Sequence, residues 1–155
     1  MLFAPTDSER KEWCKLLRKH AVHHKLENGF QMTKKVLGTG AYATVYLAKD
    51  KITHQSVALK VIDRARLNKE EELLLAEEAW ISQDLKHKYL VCTHEFIENE
   101  TCYVLVMDYV EGGELFERLL QHKYGEDQVQ RMMGQLLTGV AFMHSREIVH
   151  FGTRF

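Results

Sequence analysis

Proline is almost missing from this chain: Pro5 is the single one in 155 residues. Breaks between elements must come instead from glycine and from clusters of small polar residues. Cysteine is nearly as scarce. Cys14, Cys92 and Cys102 form no C-x-x-C pair. An odd, sparse set argues against a disulfide framework and fits reduced thiols in a cytosolic or nuclear compartment, so the expected location is cytoplasmic. No apolar run approaches the ~20 residues of a membrane span, and "MLFAPTDSERKEW" lacks the basic start and long apolar run of a signal peptide. The formal net charge of −1 provides no global field for steering onto nucleic acid or anionic membrane. There is no internal repeat and no low-complexity segment. What remains is 45% hydrophobic and 28% charged, the composition of a globular chain long enough for one ordinary domain.

The first 27 residues read as a unit of their own. After a short apolar run, Thr6-Asp7-Ser8 offers N-cap residues and Glu9 an acid for a first helical turn. Trp13, Leu16 and Leu17 then follow at helical spacing, and Glu27-Asn28-Gly29 breaks the pattern. Lys15, Arg18, Lys19 and Lys25 make a small basic face, read as solvated. His20, His23 and His24 have no fourth ligand nearby and read as a solvated helix end, not a metal site.

From Phe30 the pattern turns to strands. "FQMTKKVLG", "ATVYLAK" and "QSVALKVI" are β-branched and aromatic runs separated by Gly38-Thr39-Gly40 and by residues 50–54. A helix is expected from about Asn68 to Leu85, with Leu74, Leu75, Glu78 and Ile81 sharing a face. "LVCTHEFIE" and "CYVLVMDYV" follow as two strands joined by Asn99-Glu100-Thr101. Gly112-Gly113 precedes a short helix from about Glu114 and a longer one from about Glu126. On the longer helix Val129, Met132, Met133, Leu136, Leu137, Val140 and Met143 form an apolar stripe, whose plainest reading is core packing.

Two features carry chemistry. "GTGAYATV" (Gly38–Val45) lies between strand-like runs, and glycines there let backbone N–H groups approach phosphate oxygens. Alone the signal is weak, because any tight hairpin uses glycine. Ala43 stands where G-x-G-x-x-G needs its third glycine, and the loop opens a strand, which excludes a dinucleotide-binding fingerprint. The second feature is "VALK". It puts Lys60 among apolar neighbours, either as an edge-strand lysine with its charge in water or as a buried charge with a partner. Glu78, inward on the following helix, is the expected partner. Loop, lysine and acid together suit a polyphosphate.

These residues resemble the small lobe of a eukaryotic protein kinase. The resemblance rests on "GTGAYATVYLAKD", "VALKVI", "EEAWISQDLKHKYLV" and "CYVLVMDYVEGGELFERLL" in that order, with "LLTGVAFMHSREIVH" leading toward a catalytic loop. "DYVEGGELFERL" is most similar to the calmodulin-dependent or AGC serine/threonine groups. The implied fold is α+β: a five-stranded antiparallel sheet plus one helix over 30–110, then the first helices of an incomplete large lobe over 111–150. The resemblance implies ATP, as Mg-ATP in the complete family domain, and a protein substrate. Gly38, Thr39, Gly40, Ala41, Tyr42, Ala43 and Thr44 would cover the phosphates. Leu37, Val45 and Ala58 would line the adenine pocket. Lys60, salt-bridged to Glu78, would bind the α- and β-phosphates. Met107 falls at the gatekeeper, Asp108 and Val110 would offer hinge backbone groups, and Glu114 would meet the ribose or a basic substrate residue.

The resemblance ends at His150. That histidine begins the family's catalytic-loop motif, but Gly152 stands where the catalytic aspartate belongs, and Thr153, Arg154 and Phe155 do not continue it. The asparagine and D-F-G aspartate that hold Mg²⁺ have no counterpart in these residues, so no metal site is expected. The abrupt change reads as an altered end: a splice variant, a frameshift or a gene model running into an intron. The expectation is an inactive, ATP-binding kinase fragment. The alternatives are a non-catalytic or dominant-negative interaction product and a translation artefact. Ser82 and Thr93 fall where active kinases stack apolar side chains, which suggests either looser coupling of the helix or a slightly shifted alignment. Finally, "LFAPTDSERKEWCKLLRKH" resembles the last strand and helix of a pleckstrin-homology domain, with Trp13 as its packed tryptophan. A generic helix capping the small lobe is the competing reading, and any membrane recruitment would reside in an upstream domain.

Overall fold

A computed structural model describes residues 26–150. The pleckstrin-homology-like segment, its basic face, the HAVHH histidines and the tail from Phe151 lie outside the described residues.

A one-turn helix, α1 (Leu26–Gly29), leads into β1 (Phe30–Thr39), β2 (Ala43–Asp50) and β3 (Ser56–Asp63). A 3₁₀ turn (Arg64–Arg66) and helix α2 (Lys69–Asp84) follow, then β4 (Thr93–Glu98) and β5 (Cys102–Asp108). Two further helices, α3 (Leu115–Gln121) and α4 (Glu126–His144), complete the described chain. The strands form one antiparallel sheet in the order β1-β2-β3-β5-β4. This is the expected α+β architecture: five antiparallel strands, one packed helix, then the first helices of a second layer.

Side-chain alternation divides the sheet into two faces. Phe30, Ala48, Val57, Leu59, Val104 and Val106 form a core on one face. Ile62, Tyr103 and Leu105 form another beneath α2, which contributes Ala79. β3 lies between β2 and β5 and is covered on both sides, so its apolar residues are nearly continuous.

Local chemistry sets most boundaries. At the β2–β3 turn, Asp50 Oδ1 accepts from the N–H groups of Ile52 and Thr53 at 2.7 and 2.8 Å. Those two bonds hold its carboxyl below the usual carboxylate range. His54 closes this turn at φ 59°. α2 starts where its sequence says it should. The Asn68 side chain accepts from the N–H groups of Glu70 and Glu71, and Glu71 Oε2 accepts from the Asn68 N–H, a complete capping box.

Three expectations need correction. β4 begins at Thr93, not Leu90. The Leu90 N–H is taken by His87 O in a turn, and the Cys92 N–H is taken by a side chain, Asp108 Oδ2.

The buried face of α2 also differs. Leu74, Ile81 and Glu78 are exposed, and the helix presents Leu75 and fully buried Ala79 to the sheet. Seven apolar residues lie between Leu73 and Ile81, distributed around the helix, so periodicity does not choose a face. Arg64 does. Its Nε lies 3.3 Å from Glu72 Oε1, its guanidinium contacts Glu98 at 3.2 Å and Asn99 O at 3.0 Å, and it sits over the Tyr103 ring. Glu72 is thereby turned toward the sheet, and Leu75 and Ala79 follow it one and two turns on. Replacing Arg64 with methionine is expected to speed amide exchange in α2 by roughly three- to tenfold, a loss of about 1 kcal/mol. Unchanged exchange would show that Ala79 packing alone orients the helix.

Third, core packing holds only in part for the α4 stripe. Gly139 and Met143 are buried, and a Cβ on Gly139 would meet Tyr89 O at 3.2 Å, so the backbones approach closely there. Val129, Met133 and Leu137, by contrast, are 41%, 46% and 59% exposed. Of the two residues expected to loosen the helix, Ser82 bonds its own Ala79 carbonyl at 2.9 Å and Thr93 is buried.

Candidate functional site

Strand register assembles the site. Thr39 opposes Thr44 and Gly38 opposes Val45 across the β1–β2 hairpin. Val45 opposes Lys60, and Lys60 opposes Leu105. One step along, Leu47, Ala58, Met107 and Thr93 form the next row. Gly38, Val45, Ala58, Lys60 and Met107 therefore converge on one region, on the face that carries α2. Leu37 lies at a register shift between Val36 and Gly38, a bulge that re-aims the strand as it enters the turn. Its side chain is half-buried.

The turn itself is Gly40-Ala41-Tyr42, closed by a single backbone bond from Gly40 N–H to Ala43 O at 2.8 Å. Neither Gly38 nor Gly40 has a positive φ. A Cβ on Gly38 would meet nothing within 4 Å, and one on Gly40 only Ala43 O at 3.7 Å. Neither backbone conformation nor packing demands glycine here, so the open space beside the turn is what the two residues preserve.

Lys60 is half-buried on a central strand, which removes the edge-strand reading. The expected salt bridge to Glu78 is absent among the described residues. Glu78 is exposed, one residue before the seam where Ala79 meets the sheet, in the rotation of α2 that also forms the Arg64–Glu72 contact. The lysine thus stands beneath the glycine turn without a carboxylate partner among the described residues.

At the far end of β5, Met107 is half-buried, and Asp108 N–H donates to Cys92 O at 3.0 Å. Val110 is 60% exposed. Glu114 caps α3 without a side-chain hydrogen bond and is exposed. His150 is the last described residue. One feature had no sequence signal. The Asp108 carboxylate accepts from Cys92 N–H at 2.9 Å and lies 2.7 Å from His94 Nε2. The three residues come together only because the Thr93–Met107 register places residue 92 opposite 108.

Burial also perturbs the second core. It pushes the Tyr103 phenol up, against the Arg64 guanidinium that pulls it down.

A sequence profile of the protein kinase domain matches residues 31–152. The chain belongs to the protein kinase family. CBL-interacting protein kinase 16 of Oryza sativa subsp. japonica is 34% identical over 131 residues, covering 83% of this chain and 29% of that protein. Calcium-dependent protein kinase 4 of Plasmodium berghei (strain Anka) is 35% identical over 118 residues, covering 75% of this chain and 22% of that one. Among solved structures, Rad53 residues 1–466 in complex with AMP-PNP superposes with a TM-score of 0.73 at 27% identity, covering 90% of this chain and 37% of that one. The chain spans a third or less of the length of these two curated relatives. No described helix is long and apolar enough to cross a membrane.

Proposed function

We propose that this kinase chain is the ATP-binding part of a serine/threonine protein kinase and that its 155 residues bind the nucleotide without transferring its phosphoryl group. The observation that carries the reading is Lys60: a half-buried cation on a central strand, beside an open glycine turn, with no carboxylate partner among the described residues. A polyphosphate is the anion such a position suits. The backbone from Gly38 to Thr44 covers the phosphates, and Leu37, Val45 and Ala58 supply the apolar wall for the base. The Asp108 carbonyl and the Val110 N–H hold the adenine edge at the hinge, and Glu114 belongs to the ribose end. The neighbour solved with AMP-PNP supports a nucleotide as the ligand class.

In a complete domain the reaction would move the γ-phosphoryl group to a protein hydroxyl. These residues do not supply that step. Gly152 has no side chain to accept the hydroxyl proton. No residue here is assigned to Mg²⁺. A protein substrate, cytoplasmic location and the calmodulin-dependent-like grouping belong to the same proposal.

A second reading has its own observation. Leu73, Leu74 and Trp80 on α2 and Leu137 on α4 are each at least 59% exposed, large apolar side chains that a binding partner would cover. That favours a non-catalytic interaction product. Calorimetry with ATP, beside a radiometric assay on a generic protein substrate, separates the readings. Saturable ATP binding with no turnover is expected. Turnover would overturn the inactive assignment, and no binding would leave the interaction reading.

A further inference from the structure

The Asp108 side chain does work that a strand normally leaves to the backbone. In a regular antiparallel pair, two opposed hydrogen-bonded residues exchange both N–H···O=C bonds. Cys92 and Asp108 are opposed in this way, one step beyond the Thr93–Met107 pair. Only half of the exchange is made by backbone, from Asp108 N–H to Cys92 O at 3.0 Å. The returning Cys92 N–H goes instead to the Asp108 carboxylate, with Oδ2 accepting at 2.9 Å. The other carboxylate oxygen is engaged by His94 Nε2 at 2.7 Å. The carboxylate thus takes the ladder place of the residue's own carbonyl, and His94 on β4 keeps it there.

We infer that Asp108 is a positioning residue: its side chain satisfies Cys92 so that its backbone carbonyl is left for the exocyclic amino group of adenine. The inference rests on the nucleotide reading above and adds to it a source of base selectivity. A carbonyl accepts from the amino group of adenine. Hypoxanthine carries an oxygen at that position, which would set acceptor against acceptor. With the side chain shortened to alanine, the Cys92 N–H loses its partner. The Asp108 carbonyl is then free to turn toward it and restore the regular pair. Turned toward Cys92, the carbonyl would point away from the base, with no loss of the phosphate contacts at Lys60.

The test compares ATP, inosine triphosphate and inorganic tripolyphosphate by calorimetry on the full chain, as wild type, Asp108→Ala and Asp108→Asn. Wild type is expected to prefer ATP over inosine triphosphate. Asp108→Ala is expected to lose about tenfold in ATP affinity, the worth of one hydrogen bond, while inosine triphosphate and tripolyphosphate bind as before. Asp108→Asn keeps an acceptor for Cys92 and is expected to stay within about threefold of wild type. An unchanged ATP preference in Asp108→Ala overturns the inference. So does an equal loss for all three ligands, which would mean that the side chain supports the whole lobe. A wild type that binds no ATP would sink the nucleotide reading itself. That failure differs from a wild type that binds ATP and an alanine variant that keeps the preference.

Discussion

Lys60→Met is expected to weaken ATP binding by roughly 10- to 100-fold and to leave the melting temperature unchanged or slightly raised. The first half follows from charge. A charge-assisted contact between an ammonium and phosphate oxygens contributes about 1.5–3 kcal/mol, and each 1.4 kcal/mol is about tenfold in affinity. The second half follows from the missing partner. Removing one member of a buried ion pair strands the other and costs about 3–5 kcal/mol. Here Glu78 is exposed and makes no ion pair with Lys60, so among the described residues no carboxylate is stranded. Methionine keeps most of the apolar stem and discards a half-desolvated charge. Calorimetry reads the first half and thermal denaturation the second. A drop of many degrees would mean that the chain in solution makes the Lys60–Glu78 pair. Unchanged affinity would remove Lys60 from the nucleotide site.

Leu59→Ala, one residue away, is expected to do the opposite. Leu59 points to the other face of β3, is 0% exposed and is one of the two largest fully buried side chains. It packs among Ala48, Val57 and Val104 in the core that does not face the site. Truncation removes three buried carbons and leaves a cavity in a sheet held on both sides, a loss of about 3 kcal/mol. Against a total stability of about 5–15 kcal/mol this is a large share. The urea midpoint should fall with the slope of the transition unchanged. ATP affinity of the folded fraction should stay within about twofold, since the contacts that hold nucleotide lie across the sheet. A small shift in midpoint would show that the sheet collapses around the cavity, and a changed slope would show that the native state has loosened.

The contrast between these neighbours shows how much of the molecule was legible in its residues. In "QSVALKVI" strand geometry alone puts Leu59 and Lys60 on opposite faces, because successive strand residues must point opposite ways. The ends of α2 were equally legible. Asn68 and Glu71 form a capping box that depends on four consecutive residues and on nothing else in the fold. The glycine turn and the lysine could be placed in one site because two hairpins leave little freedom of register.

The rotation of α2 was not legible. Leucine, alanine, tryptophan and isoleucine surround the helix, so the apolar pattern permits several settings, and Glu78 read as inward in one of them. Ala79 was chosen together with a contact between Arg64 and Glu72, two residues 8 apart in the chain, and by where Ile62 and Tyr103 sit on the sheet. The early end of β4 was hidden for a similar reason. "LVCTHEFIE" is an unbroken β-like run. What interrupts it is a carboxylate 16 residues later in the chain, which takes the Cys92 N–H that a longer strand would have used.

By itself, then, the sequence determined the order of the strands and helices, the start of α2, the composition of the glycine turn and the kinase family to which they belong. All of these depend on interactions within a few residues or on a two-residue side-chain period. The tertiary structure alone decided that Lys60 stands without Glu78 and that Asp108 acts through its side chain. Both depend on which of several nearly equivalent helix faces and hydrogen-bond acceptors come close once the sheet has closed, and the local chain does not encode that distance.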